Sequence, residues 1–407
     1  MLPNLIFYGR GCSEPSNTVA AGNVPPELGP GSERRKSCLP ARSLMRLLLF
    51  SDLHLDTPFK WAGPVLARKR RQSLRDVLRT IASVASEVGV DAVLCGGDLY
   101  EQECYSPDTG ELLRTTFAEL SPIPVYIAPG NHDWFGPASL YRQVAWTPNV
   151  HIFERDHLTP VALADGLTLW GASHRAPANT DGFLEGFVVD RGGVHLALFH
   201  GSERHLLMFQ ESGKTPHAPF DAADFERSGI HHAFLGHYHN PRDEARYTYP
   251  GNPEPLSFGE TGERGVVIAT VNGDGRVVRE RRRVAITEIS DLEVSVTGCF
   301  SEQDVRDRVA EAGRTAPGLR RITLQGELGP DVDVRPQDLS DPTSGLIVRA
   351  GSIRVAYDLE VIKQEQTVRG QFVRDVLDST DLSKEERHRV IVVGLRALEG
   401  RSDLEVM

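Results

Sequence analysis

Leu47-Leu48-Leu49-Phe50-Ser51-Asp52-Leu53-His54 runs from an apolar stretch straight into a carboxylate and an imidazole, and the same construction returns four times further along the chain. Val90 to Cys95 leads to Gly97-Asp98, Val125 to Ala128 to Gly130-Asn131-His132-Asp133, Leu196 to Phe199 to His200-Gly201, and Ala233 to Leu235 to Gly236-His237-Tyr238-His239. Short continuous apolar runs suit strands buried on both faces, as in a parallel sheet. Such a sheet gathers the polar ends of its strands along one edge. Oxygen and imidazole donors together suit Mn²⁺, Fe²⁺ or Zn²⁺, and two such ions close together activate water against phosphate esters. Glycine and acid neighbours place the motif histidines in exposed loops, whereas His151, His157, His205 and His388 read as ordinary core or surface residues.

Between the motifs the pattern turns helical. Leu74, Val77, Leu78, Ile81, Ala85 and Val88 recur at helical spacing after the first, and Leu112, Leu113, Thr116, Phe117 and Leu120 after the second. Alternating strand and helix imply right-handed crossovers and a largely parallel α/β core over residues 45–285. Within it, Val266 to Val271 and Val277 to Val284 flank Asn272-Gly273-Asp274-Gly275, a hairpin signal. Beyond Ile286 the character changes. Leu292 to Val296, Leu319 to Leu324 and Ile353 to Leu359 have strand character, and Ser301-Glu302-Gln303-Asp304 has the form of a helix cap, so residues 286–364 are expected to be a small α+β domain. Helices around Thr367 to Leu377 and Ser383 to Leu398 occupy residues 365–407. The second carries Val390, Ile391, Val393, Leu395 and Leu398, more apolar surface than a free terminal helix should expose. Residues 1–44, crowded with Gly, Pro, Ser and Arg and without hydrophobic period, are expected to be disordered, and Met45 just before the first strand would serve as an alternative start.

A chain of 407 residues has room for two domains, and 40% hydrophobic with 25% charged residues is ordinary for a globular protein. No apolar run approaches the roughly 20 residues that span a bilayer, so no membrane partner is expected. Five scattered cysteines without a Cys-x-x-Cys pair read as free thiols in a reducing compartment, hence a cytoplasmic location. The net charge of −11 argues against a surface coated for nucleic acid but leaves room for a local track. Arg68-Lys69-Arg70-Arg71 is the candidate DNA-binding cluster, and Arg279 with Arg281-Arg282-Arg283 is a second basic group. The alternatives are a solvated helix face and an exposed hairpin strand.

The ordered series of motifs resembles the calcineurin-like metallophosphoesterase superfamily. That resemblance implies a four-layer α/β/β/α sandwich with metals at the carboxyl ends of the strands, here with a small α+β capping domain and C-terminal helices added. It also implies roles. Asp52, His54 and His239 would hold a first metal, Asn131, His200 and His237 a second, and Asp98 would bridge them. His132 would meet the leaving oxygen as acid or charge stabiliser, with Asp133 either orienting it or capping its loop. Two divalent ions are implied, manganese first, with iron or zinc as alternatives.

Tyr249-Pro250-Gly251-Asn252-Pro253-Glu254-Pro255-Leu256-Ser257-Phe258-Gly259-Glu260, followed by Arg264-Gly265, is similar to a segment of the DNA-repair exonuclease branch, which contains the nuclease subunit of bacterial SbcCD-type complexes. The similarity covers roughly residues 45–285. It implies a metal-dependent DNA exonuclease or endonuclease, with an SMC-like ATPase subunit docked on the C-terminal helices and a homodimer left open. One departure stands out: branch members commonly follow Gly-Asp-Leu-Phe with Asp or His, whereas Gly97-Asp98-Leu99-Tyr100 leads here to Glu101. End preference therefore stays open. A small-molecule or cyclic-nucleotide phosphodiesterase is the alternative, and a metal-free scaffold is a third reading.

Overall fold

The computed structural model describes residues 43–209, 216–330 and 332–400, so the expectation for residues 1–44 lies almost wholly outside them. Strand β1 (Ser43–Phe50) is followed by helix α1 (Pro64–Val88), β2 (Ala92–Cys95), α2 (Thr109–Ala118), β3 (Val125–Ile127), α3 (Leu140–Gln143) and β4 (Val150–Ile152). Then come β5 (Thr159–Ala164), β6 (Leu167–Gly171), β7 (Val194–His200), α4 (Asp224–Ser228), β8 (His232–Gly236), β9 (Arg242–Asp243) and β10 (Tyr247–Tyr249). The expected hairpin is β11 (Gly265–Asn272) with β12 (Val277–Arg283).

These strands form two six-stranded sheets, ordered β12-β11-β1-β2-β3-β4 and β5-β6-β7-β8-β10-β9. The middle of each is parallel, with β1 to β4 in one and β6, β7, β8 and β10 in the other; β11, β12, β5 and β9 are antiparallel additions. Side chains alternate across a strand. In β1, Leu47 and Leu49 join Leu196, Leu198 and Phe234 between the sheets, while Leu48 and Phe50 join Leu74, Val77 and Leu78 under α1. Each buried leucine of this kind contributes roughly 1.5–3 kcal/mol. Both faces are covered, which explains why the strand reads as an unbroken apolar run. The four layers are uneven. α1 and α2 cover the first sheet, whereas the outer face of the second is covered by the five-residue α4 and by segments around Phe183 and Phe220.

α1 begins ten residues before the first apolar position read from the sequence, with Pro64 opening it and Gly89 ending it in the left-handed conformation at φ 64°. Arg68 to Arg71 therefore lie in its first turns.

The capping unit is a three-stranded parallel sheet of β13 (Ile289–Ser295), β14 (Leu319–Leu328) and β15 (Leu346–Val355), with α5 (Glu302–Thr315) and α6 (Pro336–Leu339) in its crossovers. Ser301 and Asp304 form a reciprocal cap on α5, as their spacing suggested. β15 starts and ends earlier than expected. It is an edge strand carrying Arg349, Gly351, Ser352 and Arg354, so half of it lacks the apolar signal. The unit rests on the two-sheet part through Ile289 and Leu319, which pack on Leu66 of α1 beside Trp61 and Phe258. Three helices follow, α7 (Leu359–Ile362), α8 (Val368–Asp378) and α9 (Lys384–Leu398). Ile391 and Leu395 of α9 pack on Phe372 and Val373 of α8 and on Ile362, leaving Val390 and Leu398 as its exposed large hydrophobics. Much of the terminal stripe is thus the hairpin's own core. Among the described residues no helix is long and apolar enough to cross a membrane.

Candidate metal centre

The parallel strands deliver the motifs to one edge. Asp52 and His54 follow β1, Asp98 follows β2 and Asn131 follows β3; opposite them His200 ends β7, and His237 and His239 follow β8. Asp52 (φ 54°), His54 (φ 50°), Asp98 (φ 51°) and His237 (φ 115°) all have positive φ, a conformation costly for residues with a Cβ and typical of functional sites held by their surroundings. Gly130 has to be glycine, since a Cβ there would lie 2.3 Å from Asp98 Oδ1. The sequence placed the motif histidines in exposed loops, but Asp52, His54, Asp98 and His200 form a buried floor and only His132 is exposed. The loops fold into the cleft between the sheets rather than away from it.

Two groups of ligand atoms result. Asp52, His54 and His239 form one, and Asp52, Asp98 and His200 the other, with all atoms in each within 4.8 Å of one another. Asp98 Oδ2 lies 3.2 Å from His200 Nε2 and 3.6 Å from His54 Nε2. The His237 ring is 5.2 Å from that of His200, beside the second group. His54 Nε2, His200 Nε2 and Asn131 Oδ1 are buried without a hydrogen-bond partner. Orphaned buried polar atoms are rare. His54 Nε2 and His200 Nε2 both face Asp98 Oδ2, Asn131 follows the neighbouring strand end, and the donor set fits a dinuclear divalent site.

The other imidazole nitrogens are tied back, which fixes which nitrogen faces the ions. His54 Nδ1 donates to Glu101 Oε1 at 2.8 Å, His239 Nδ1 to Glu260 Oε1 at 2.9 Å, and His200 Nδ1 to the Gly96 carbonyl at 2.9 Å. Buried His174 contacts the His200 carbonyl through Nε2 at 2.8 Å and Thr180 through Nδ1. The sequence marks Glu101 only as a departure from the branch pattern and does not single out Glu260 or His174. The position of Glu101 three residues after Asp98 is its one available signal.

Electrostatics follow from this packing. Burial opposes charge on Asp98, but His200, His132 and His54 hold its pKa well below the usual carboxylate range. Burial likewise opposes ionisation of Glu101, yet hydrogen bonds from His132 and His54 pull it down to about 2. Against partial desolvation, Asp98 and Glu101 raise His132 to about 10. Bound cations would act in the opposite direction on the imidazoles.

His132 stands at the mouth, its ring 4.7 Å from that of His54, with Nδ1 donating to Glu101 Oε2 at 2.9 Å. Glu101, not Asp133, orients it. Asp133 is fully buried and accepts from the amides of Asp98, Leu99 and Gly130 and from the Tyr141 hydroxyl, so it organises the loop.

The candidate DNA-binding cluster is divided by the helix. Arg68 and Lys69 are exposed and Arg71 half-buried, but Arg70 is only 2% exposed. Arg70 pairs with buried Glu254 at 2.5 Å, donates to Pro255 and Thr287, and lies over Phe59. It cannot meet a phosphate. It occupies the inward phase of α1, four residues from both Leu66 and Leu74. In the second group, Arg279 and Arg281 are engaged with Glu244, Asp243 and the carbonyls of Tyr249 and Pro250.

Residues 45–241 match the family model for calcineurin-like phosphoesterases. The fold is that of the calcineurin-like phosphoesterases. Among solved structures, TT1561 of Thermus thermophilus is 13% identical with a TM-score of 0.36, covering 58% of this chain and 98% of its own. A dimetal phosphatase from Danio rerio is also 13% identical, with a TM-score of 0.33, covering 60% of this chain and 97% of its own. No curated protein matches the chain. The cleft has a volume of about 960 Å³ and is bounded by His132, Tyr238, Arg242, Glu244 and Leu256 above the candidate metal ligands. In the same fold, the Tyr249 to Glu260 segment supports His239. Asn252 donates to Glu260, and Arg264 holds the Asn252 side chain and the His239 carbonyl.

Proposed function

We propose that this chain is a dinuclear-metal phosphodiesterase that hydrolyses DNA, with two divalent ions, manganese first, held by Asp52, His54, Asp98, Asn131, His200, His237 and His239. Two groups of ligand atoms that share Asp52, with buried His54 Nε2 and His200 Nε2 left without hydrogen-bond partners beside a carboxylate-held His132, carry the reading. When bound, the ions supply Lewis acidity and an activated water. Asp52 contributes charge to both ligand groups, Asp98 lies between the His200 and His54 imidazoles, and Asn131 contributes a neutral oxygen that leaves positive charge available to phosphate. Glu101 holds His132 through Nδ1, so Nε2 can donate a proton to the leaving oxygen. Support for DNA comes from the Tyr249 to Glu260 segment and from the added capping unit; the free thiols of Cys95, Cys104 and Cys299 support a cytoplasmic location. An SMC-like ATPase would dock at the exposed Val390 and Leu398 of α9.

One observation favours a second reading. The cleft is lined by Asp98, Glu101, Asp243, Glu244 and Glu260, and Arg242, the one Arg or Lys among its described lining residues, is paired with Glu244. A small or cyclic-nucleotide diester needs no further cation there. The test is Mn²⁺-dependent cleavage of end-labelled duplex DNA, single-stranded DNA and bis(p-nitrophenyl) phosphate. Turnover of the small diester alone would favour the second reading, and turnover of none would remove both.

A further inference from the structure

Beside the metal centre, at the same edge, lies a second cavity of about 500 Å³ lined by Phe135, Tyr141, Arg142, Glu154, Arg155 and Arg175. Its place follows from sheet order. One strand out from β3, which carries Asn131, is β4, and Arg155 lies just past its end; one strand out from β7, which carries His200, is β6, and Arg175 lies just past that. Neighbouring strands are about 4.8 Å apart, so these backbones sit next to those of the second-metal ligands. Tyr141 in the cavity wall donates to Asp133, which in turn accepts from the Asp98 amide.

The three guanidiniums are exposed, and among the described residues none forms a salt bridge. Arg142 and Arg175 lie over the buried Phe135 ring, at 5.9 Å and 5.3 Å from its centre, and Arg175 also donates to the Glu154 carbonyl at 2.8 Å. Stacking restricts the guanidinium planes while leaving most of their N–H groups unused. The Arg155 side chain makes no hydrogen bond among the described residues. Glu154 is the one carboxylate among the described lining residues, with Asp156 outside the lining but near enough to interact with Arg175, so three arginines face a single lining carboxylate. The chain as a whole has a net charge of −11, and Arg242 in the neighbouring cleft is paired with Glu244.

We infer that Arg142, Arg155 and Arg175 form an anion subsite that takes the phosphate neighbouring the one being cleaved, which makes the substrate a phosphodiester strand rather than an isolated diester. Arginine forks match phosphate oxygens in geometry and charge. The inference rests on the phosphodiesterase reading and deepens it. It also supplies the cationic surface that the cleft itself lacks and that Arg70 cannot provide.

The test compares the Mn²⁺-loaded full chain with an Arg142→Gln/Arg155→Gln/Arg175→Gln variant on oligothymidylate and on bis(p-nitrophenyl) phosphate. KM for oligothymidylate should rise about 10- to 100-fold, the worth of one charge-assisted hydrogen bond, with kcat within about twofold. The log–log salt slope should fall by roughly 0.7 for each phosphate that the variant no longer neutralises. Kinetics on the one-phosphate ester should not change. Arg155→Gln alone spares the stacking on Phe135 and should raise KM for oligothymidylate about tenfold even if the triple variant misfolds. An unchanged KM in both variants, or equal losses on both substrates with metal retained, would overturn the subsite while leaving the phosphodiesterase standing. A wild-type protein that cleaves neither substrate would remove both.

Discussion

Replacing Arg70 by Met should destabilise the protein more than any change among its three basic neighbours. The guanidinium pairs with Glu254, which is 0% exposed, and also serves Pro255 and Thr287. Without Arg70 the carboxylate keeps only the amides of Ile286 and Thr287, at 2.8 and 3.2 Å. Removing one partner of a buried pair costs about 3–5 kcal/mol, since the other charge stays out of water. At about 2–4 °C per kcal/mol this lowers Tm by about 6–20 °C. Arg70 joins α1, the Tyr249 to Glu260 segment and the start of the capping unit, so hydrogen exchange should rise first around residues 284–290. Arg70→Met/Glu254→Met should recover part of the loss, because two apolar side chains leave no buried charge. Arg68→Gln, Lys69→Gln and Arg71→Gln should each stay within about 0.5 kcal/mol, as surface changes do. The assays are urea unfolding and scanning calorimetry on metal-loaded protein. An Arg70→Met variant within about 0.5 kcal/mol of wild type would refute the reasoning and return this side chain to the surface.

The remaining predictions concern the centre, the acid limb and the terminal helices. His132→Ala should retain both ions by atomic emission yet lose about 10²–10⁴ in turnover, whereas Asp98→Asn should lose metal, since its carboxylate lies between the His200 and His54 imidazoles. Glu101→Gln should lower activity or metal affinity about 10- to 100-fold, the usual effect of a group that orients a ligand imidazole, and it should do so without a large change in Tm. Burial and Arg279 depress His232 to about 3, so its neutral form is favoured in the fold; the stabilisation is complete above the unfolded pKa near 6.5 and is lost as pH falls toward 3. At pH 5 that costs about 2 kcal/mol, and His232→Gln should flatten this part of the stability profile measured by urea unfolding. Deleting residues after Gln364 removes α8 and α9 together and should leave a folded, metal-loaded protein that no longer binds an SMC-like ATPase; aggregation or early melting would assign the helices to the protein's own core.

Local pattern determined a good deal of this molecule. Apolar runs ending in polar motifs marked β1, β2 and β3 of one sheet and β7 and β8 of the other, because burial on two faces leaves no alternation to confuse the reading, whereas β4, β5, β6, β9 and β10 carried no such signal. The Asn272 to Gly275 turn marked its hairpin, and Ser301 with Asp304 marked the start of α5, since both are made by contacts a few residues long. The metal-ligand candidates stood out for the same reason: the seven lie at the ends of five such strands, and the family resemblance supplied their expected roles. Tertiary structure decided what those local signals could not carry. Arg70 and Arg68 look alike in a basic run, and only the phase of α1 and the presence of Glu254, 184 residues away, send one inward and leave the other in solvent. Glu101 rather than Asp133 holds His132 because the Asp133 carboxylate is already taken by backbone amides of two loops. The positive φ angles at Asp52, His54 and Asp98 likewise have no sequence signature, since neighbouring strands impose them. What a side chain binds across the sheets depends on which strands lie next to each other, and that order is a property of the whole fold.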